Sequence, residues 1–244
     1  QMNLECDLLS VQDDFSCYPV LIVPALYSAS EETLYKIKNY VKEGGHLLLG
    51  FKSGFSDEEL KIYHDNQPHL LTDCIGATYN QFTRPENVSL HFTETFTKAG
   101  MELPENDFPV SEWMELIQPE TAQVWASYKH PYWGEYAAVT YQEFGKGSAT
   151  YLGCFTNIPA LQLLLQRICS IANIKLPEYS FPLILKKGYN DAGNLIRYYF
   201  NYSSSSVSFC YDGKEGIELL TSKKVSAYEQ MEIPAWNLLI IEER

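Results

Sequence analysis

The chain has little that would carry it to a membrane, to nucleic acid or to a metal. Its longest apolar runs, such as LIVPALY at 21–27, fall far short of the roughly 20 residues that span a bilayer. No charged-then-apolar stretch resembles a secretion signal. Cations are scarce: 18 Lys and Arg against 31 Asp and Glu give a net charge of −13. Nucleic acid and anionic membrane surfaces are disfavoured as partners, because both need clustered basic residues to displace counterions. The six cysteines (Cys6, Cys17, Cys74, Cys154, Cys169 and Cys210) form no CxxC pair and have no histidine at ligand spacing. Reduced, mostly buried thiols in a cytoplasmic protein are expected, with no metal and no cofactor. What the chain does have is core: 45% of its 244 residues are hydrophobic, enough for one large domain or two smaller ones.

Leu4 to Leu9 alternates as a short strand would, and Gln12 to Ser16 reads as an acidic turn. Val20 to Val23 is a near-continuous apolar run, which predicts a strand covered on both faces, as in a parallel sheet flanked by helices. Ser28 and Ser30 are candidate N-caps, and Glu31 and Glu32 sit where a helix dipole favours anions. Leu34, Ile37 and Val41 repeat at three- and four-residue steps, so the spacing predicts a helix over 30–43, closed by Gly44 as a left-handed cap. His46 to Gly50 is a second buried strand and completes a β-α-β unit whose strands pair in parallel.

After Phe55 the sequence turns polar, with loops around a short element near Leu70 to Ile75. Residues 121–128 alternate as a strand. A hairpin follows, Tyr136 to Glu143 and Ser148 to Gly153 flanking FGKG, whose two glycines are expected to take positive φ. Asn157 and Pro159 open another helix with Leu161, Leu164, Leu165 and Ile168 on one face. Past Pro177 and Pro182 come short β-prone runs without helical periodicity. They predict a small antiparallel β-domain, with Ser203 to Ser206 as a hairpin turn.

Each candidate for chemistry has a plain structural counterpart. FKSG at 51–54 lacks the glycines of a phosphate loop, so Lys52 and Ser53 read as loop residues, in a place where open α/β sheets do bind ligands. Cys154 lies between a strand and a helix, as a nucleophile elbow does. Its neighbours Phe155 and Thr156 are too bulky for that turn, and none of His46, His64, His69, His91 or His130 is marked as a base. Glu112, Glu115 and Glu135 are available for paired-carboxylate chemistry, but an acidic chain makes such pairs by chance. Trp113, Trp125, Tyr132, Trp133 and Trp236 suit sugar stacking, buried anchoring or a subunit interface equally well.

The order of these motifs resembles a known family. YPVLIVPALYSASEETLYKIKNYVKEGGHLLLGFKSGFSDE, then Trp113, a tyrosine-rich segment and the FGKGSATYLG hairpin, look like the non-catalytic part of family 42 β-galactosidases. One departure is Pro68-His69, where that pattern has Pro-Gly. The resemblance implies a class I glutamine amidotransferase-like (flavodoxin-like) parallel-sheet trimerisation domain over 1–176, followed by a small antiparallel all-β domain over 177–244. It implies a homotrimer, with a β-galactoside substrate engaged only through a catalytic (β/α)8 barrel that these residues do not contain. No catalytic, cofactor-binding or metal-binding residue carries over. Two rival readings stand beside it: a stand-alone amidotransferase-like enzyme with Cys154 as nucleophile, and a carbohydrate-binding module in the β-domain that uses Trp236.

Overall fold

A computed structural model describes residues 2–97, 103–105 and 107–244. The chain forms two compact units, one of Leu9–Ile174 and one in which Lys175–Arg244 is joined by the amino-terminal segment through Leu8. In the first unit β1 (Val20–Val23), α1 (Glu31–Lys42) and β2 (His46–Gly50) are followed by a 3-10 turn (His69–Leu71), α2 (Thr72–Ile75), β3 (Ala77–Thr78) and β4 (Phe82–Thr83). Then come β5 (Val88–Phe92), α3 (Glu94–Thr97), β6 (Pro109–Glu115), β7 (Gln118–Pro119) and β8 (Gln123–Lys129). β9 (Ala137–Phe144), β10 (Gly147–Leu152), β11 (Cys154–Thr156) and α4 (Ile158–Ile171) complete it.

The main sheet runs β1-β2-β10-β9-β8-β5-β6-β11, with β4 also on β6. Parallel pairing is confined to β1 with β2 and β2 with β10; every other pair is antiparallel. The sheet is therefore mixed, not the parallel sheet that the first β-α-β unit predicts. The reason is connection length: α1 provides the long return that parallel neighbours need, whereas β9 and β10 are joined by a tight turn that reverses the chain.

Period-two alternation divides the core between the two faces. Leu47 and Leu49 of β2 and Ala149 and Tyr151 of β10 cluster with Leu34, Ile37 and Val41 of α1. Leu48 and Leu152 belong instead to the cluster that contains Leu163, Leu164 and Ile168 of α4. α1 starts as its cap signal predicts: Ser30 accepts a bond from the Thr33 amide, while Ser28 turns away to the Asp57 carbonyl. Asn157 likewise caps α4 through the Ala160 amide.

Several local expectations fail for identifiable reasons. β1 is the outermost strand, so its cover is incomplete: Leu21 and Val23 turn toward the α1 side, while on the other face Val20 packs against the core and Ile22 is 49% exposed. Leu4 to Leu9 is not a strand: Leu8 and Leu9 are exposed and, among the described residues, no strand ladder includes it; Asn3 instead donates to the Tyr179 and Leu183 carbonyls. In the FGKG turn only Gly145 has positive φ, at 61°. Gly147 serves space, because a Cβ there would lie 2.1 Å from the Gly45 carbonyl oxygen.

The second unit contains a sheet of β12 (Leu183–Tyr189), β13 (Leu195–Asn201), β15 (Gly216–Glu218), β16 (Lys223–Val225) and β18 (Leu238–Glu243), all antiparallel. β14 (Val207–Cys210) pairs separately with β17 (Gln230–Ile233). Residues of both sheets share one core around Tyr199, Phe209, Tyr211, Ile233 and Ile241. The Ser203 to Ser206 stretch is thus not a hairpin turn: it carries the chain from one sheet to the other, held by buried Asn201, which donates to the Ser205 and Ile233 carbonyls. Arg197, itself buried, binds the Glu243 and Asp212 carboxylates.

Candidate functional site

The FKSG turn leaves the carboxyl end of β2 with Lys52 and Gly54 both in the left-handed region, at φ 59° and 64°. Ser53 is fully buried and stitches the turn to the segment after β1, donating to the Pro24 carbonyl and accepting from the Leu26 amide. Ser53 is therefore a tie within the scaffold. The Lys52 amide donates to Glu115 Oε1 at 2.7 Å, so two candidates read separately from the sequence meet here.

Glu115 ends β6 and is fully buried. Its Oε1 also accepts from the Trp113 indole at 3.1 Å, and its Oε2 accepts from the Tyr151 hydroxyl at 2.6 Å. Tyr128 donates to the Glu115 carbonyl, and the buried Tyr79 hydroxyl faces Glu115 and Tyr151 without, among the described residues, a well-formed hydrogen bond of its own. Burial pushes the Glu115 carboxyl up to about 7 against the pull of its donors, chiefly Tyr151, then the Lys52 amide and Trp113. The same burial drives the Tyr151 hydroxyl upward.

Cys154 does not stand on an elbow. It lies in β11, paired with Met114, and is fully buried, which raises its thiol well above the usual range. Among the described residues no histidine hydrogen-bonds to Cys154 or to Glu115; His46 contacts Ser148, and His69 contacts Asp65. Glu112 is exposed near Arg84, and Glu135 is exposed on a loop, so neither is gathered with Glu115. His69 occupies the Pro-Gly position with φ 52°, the conformation a glycine would take without strain, and is stacked on Tyr63 at 3.7 Å.

Above the buried carboxylate runs a row of aromatics. Tyr27 stacks on Phe55, Phe55 meets Phe82 edge-on, and Phe82 stacks on Trp113 with centroids 4.2 Å apart. The Lys52 ammonium sits 3.8 Å from the Trp113 centroid. Phe82 and this ammonium are each too close to share one face of the ring, so both faces of Trp113 are covered and neither is open to a sugar. Phe51, adjacent to Lys52 in the chain, meets Phe155 edge-on with centroids 6.3 Å apart. Tyr27, Phe82 and Phe155 are 37%, 45% and 50% exposed. Of the other aromatic candidates, Trp125 is buried, Trp133 is packed against the core, and Tyr132 and Trp236 are exposed. Tyr27 and Phe82 escape the sequence reading because they lie in or beside short segments without periodicity, and Phe155 enters it only as a bulky neighbour of Cys154.

A mixed sheet between two helical layers, with a separate all-antiparallel unit, is found as a portion of solved β-galactosidase structures. The enzyme from Bacillus circulans sp. alkalophilus superposes with a TM-score of 0.87 at 22% identity, covering 100% of this chain and 35% of that one. The enzyme from Rahnella sp. R3 does so with a TM-score of 0.85 at 18% identity, covering 99% and 35%. Residues 1–175 match the beta-galactosidase trimerisation domain, and the chain belongs to that family. In sequence it is 25% identical over 227 residues to beta-galactosidase BgaA of Clostridium cellulovorans, covering 91% of this chain and 32% of the relative. The chain thus spans about a third of the length of the curated relative it matches, and it corresponds to a non-catalytic portion of such glycoside hydrolases. Among the described residues no helix is long and apolar enough to cross a membrane.

Proposed function

We propose that this chain is an assembly module that joins copies of a β-galactosidase-like glycoside hydrolase into a homotrimer and supports the catalytic barrel of that enzyme. The observation that carries the reading is the solvent-facing aromatic row, supported from beneath by Glu115 and Lys52. Aromatic anchors of this kind dominate the energy of protein interfaces. A self-complementary patch generates two-fold dimers, so closure into a three-fold ring brings the row against a different surface of the next copy. The loop with Tyr132, 77% exposed, is the aromatic surface we assign to that role.

In this reading residues 1–176 are the trimerisation domain and 177–244 a tail domain; the family match and the compact units both support a boundary near residue 175, while the units group residues 1–8 with the tail. The β-galactoside is bound by the barrel of the parent enzyme. Kinship with class I glutamine amidotransferases is supported by the parallel β1, β2 and β10 and by a polar centre at their carboxyl ends, the ligand position of open α/β sheets. The free, exposed thiols of Cys6, Cys17 and Cys210 suit a reducing cytoplasm.

Light scattering and sedimentation of the wild-type chain and of Phe155→Glu test the assembly. Phe155 is half exposed, so the new charge disturbs little within the fold. The trimer is expected to dissociate with association weakened at least about 30-fold, the loss of one interface anchor. A chain that stays monomeric at every attainable concentration, or a variant that trimerises as tightly as the wild type, counts against the reading.

A further inference from the structure

Three donors converge on the buried Glu115 carboxylate, and among the described residues no guanidinium or ammonium forms an ion pair with it. The groups that face it come from five elements: Tyr151 from β10, Tyr128 from β8, Cys154 from β11, Trp113 from its own strand and Lys52 from the turn, with Tyr79 just after β3. Two of these, Lys52 and Trp113, belong also to the exposed row. We propose that Glu115 is a proton-operated latch on the aromatic row: ionised, it grips the Lys52 amide and the Trp113 indole and favours assembly; protonated, it loosens both and weakens assembly. The inference rests on the assembly reading above and specifies how that same surface is regulated.

Two physical arguments give the same sign. Hydrogen bonds to an ionised acceptor are roughly twice as strong as those to a neutral one, so protonation relaxes the hold on the Lys52 amide and on the indole. Covering the row with a second copy also strips water from the Lys52 ammonium, a cost that a negative charge within the same fold lowers even without an ion pair. The neutral acid has an acceptable arrangement as well. With the proton on Oε2 it faces the Tyr151 hydroxyl, which can accept, while the buried Tyr79 hydroxyl lies alongside both groups. Both states are thus compatible with the fold, and burial brings the exchange close to neutral pH.

The test follows the indole N–H resonance of Trp113 in the full chain from acid to alkaline pH, with Trp113→Phe identifying the signal, alongside sedimentation over the same interval. The resonance is expected to titrate near neutrality. Trimerisation is expected to weaken below that midpoint by up to about tenfold per pH unit for each protomer. Glu115→Gln is expected to abolish both dependences. An indole signal that stays flat, a pH dependence that survives in Glu115→Gln, or assembly that tightens on acidification overturns the proposal. If the chain is monomeric throughout, the assembly reading fails by itself, and the indole titration still decides the latch. If Glu115→Gln does not fold, the wild-type titration and the direction of the assembly change decide it.

Discussion

Folding of the isolated protomer draws on Glu115 with the opposite sign, and replacing it by Gln measures this directly. The folded carboxyl titrates at about 7, against 4.5 when free of the fold, because burial penalises its charge more than the donors relieve it. Below the lower value Glu115 is protonated in both states and burial of its charge costs nothing. As pH rises from 4.5 toward 7 the unfolded chain releases the proton while the folded chain retains it, so stability falls. The gap of about 2.5 pH units, at about 1.4 kcal/mol per unit, makes that loss about 3 kcal/mol, fully expressed once pH exceeds 7. Gln cannot ionise and keeps one acceptor oxygen for the Lys52 amide. Urea unfolding of wild type and Glu115→Gln, at protein concentrations low enough to keep both monomeric, is expected to give stability curves that diverge by about 3 kcal/mol between pH 4.5 and 8, with Gln gaining at the alkaline end. Parallel curves would refute the reasoning, since they would mean that the carboxylate is not desolvated.

In the second unit, Arg197→Met leaves the buried Glu243 carboxylate without its cation and is expected to cost about 3–5 kcal/mol by chemical denaturation, much of it recovered when Glu243 is also made Met. Gly147→Ala drives a Cβ into the Gly45 and Val41 carbonyls; a loss of about 3 kcal/mol and a lowered Tm are expected, with nothing flexible nearby to yield. Cys154 is expected to resist alkylation in the native protein, while Cys6, Cys17 and Cys210 react, as mass spectrometry of iodoacetamide-treated samples will report. Rapid native labelling of Cys154 would contradict its burial.

Local signals were the legible ones. The Ser30 and Asn157 caps, the α1 periodicity, the β2 leucine run and the β9–β10 hairpin are each encoded within a few residues, and each forms where its pattern points. Strand environment was less legible. Val20–Val23 and Leu4 to Leu9 have the residues of strands, yet one lies at the edge of the sheet and the other pairs with no strand among the described residues. Ser203 to Ser206 has the composition of a tight turn and serves instead as a passage between sheets, because the partners of β13 and β14 are set by distant strands.

By itself, the sequence determined the β-α-β opening, the change to a β-rich tail, and, through the order of its motifs, the family. It also nominated Lys52, Trp113 and Glu115 individually. Only the tertiary structure decided that these three are one unit, that Tyr79, Tyr128 and Tyr151 close around the carboxylate, and that Tyr27, Phe55 and Phe82 continue the row outward. Periodicity reports which face of an element is apolar. It does not report which remote elements end side by side, and here the chemistry arises where strands far apart in the chain terminate together.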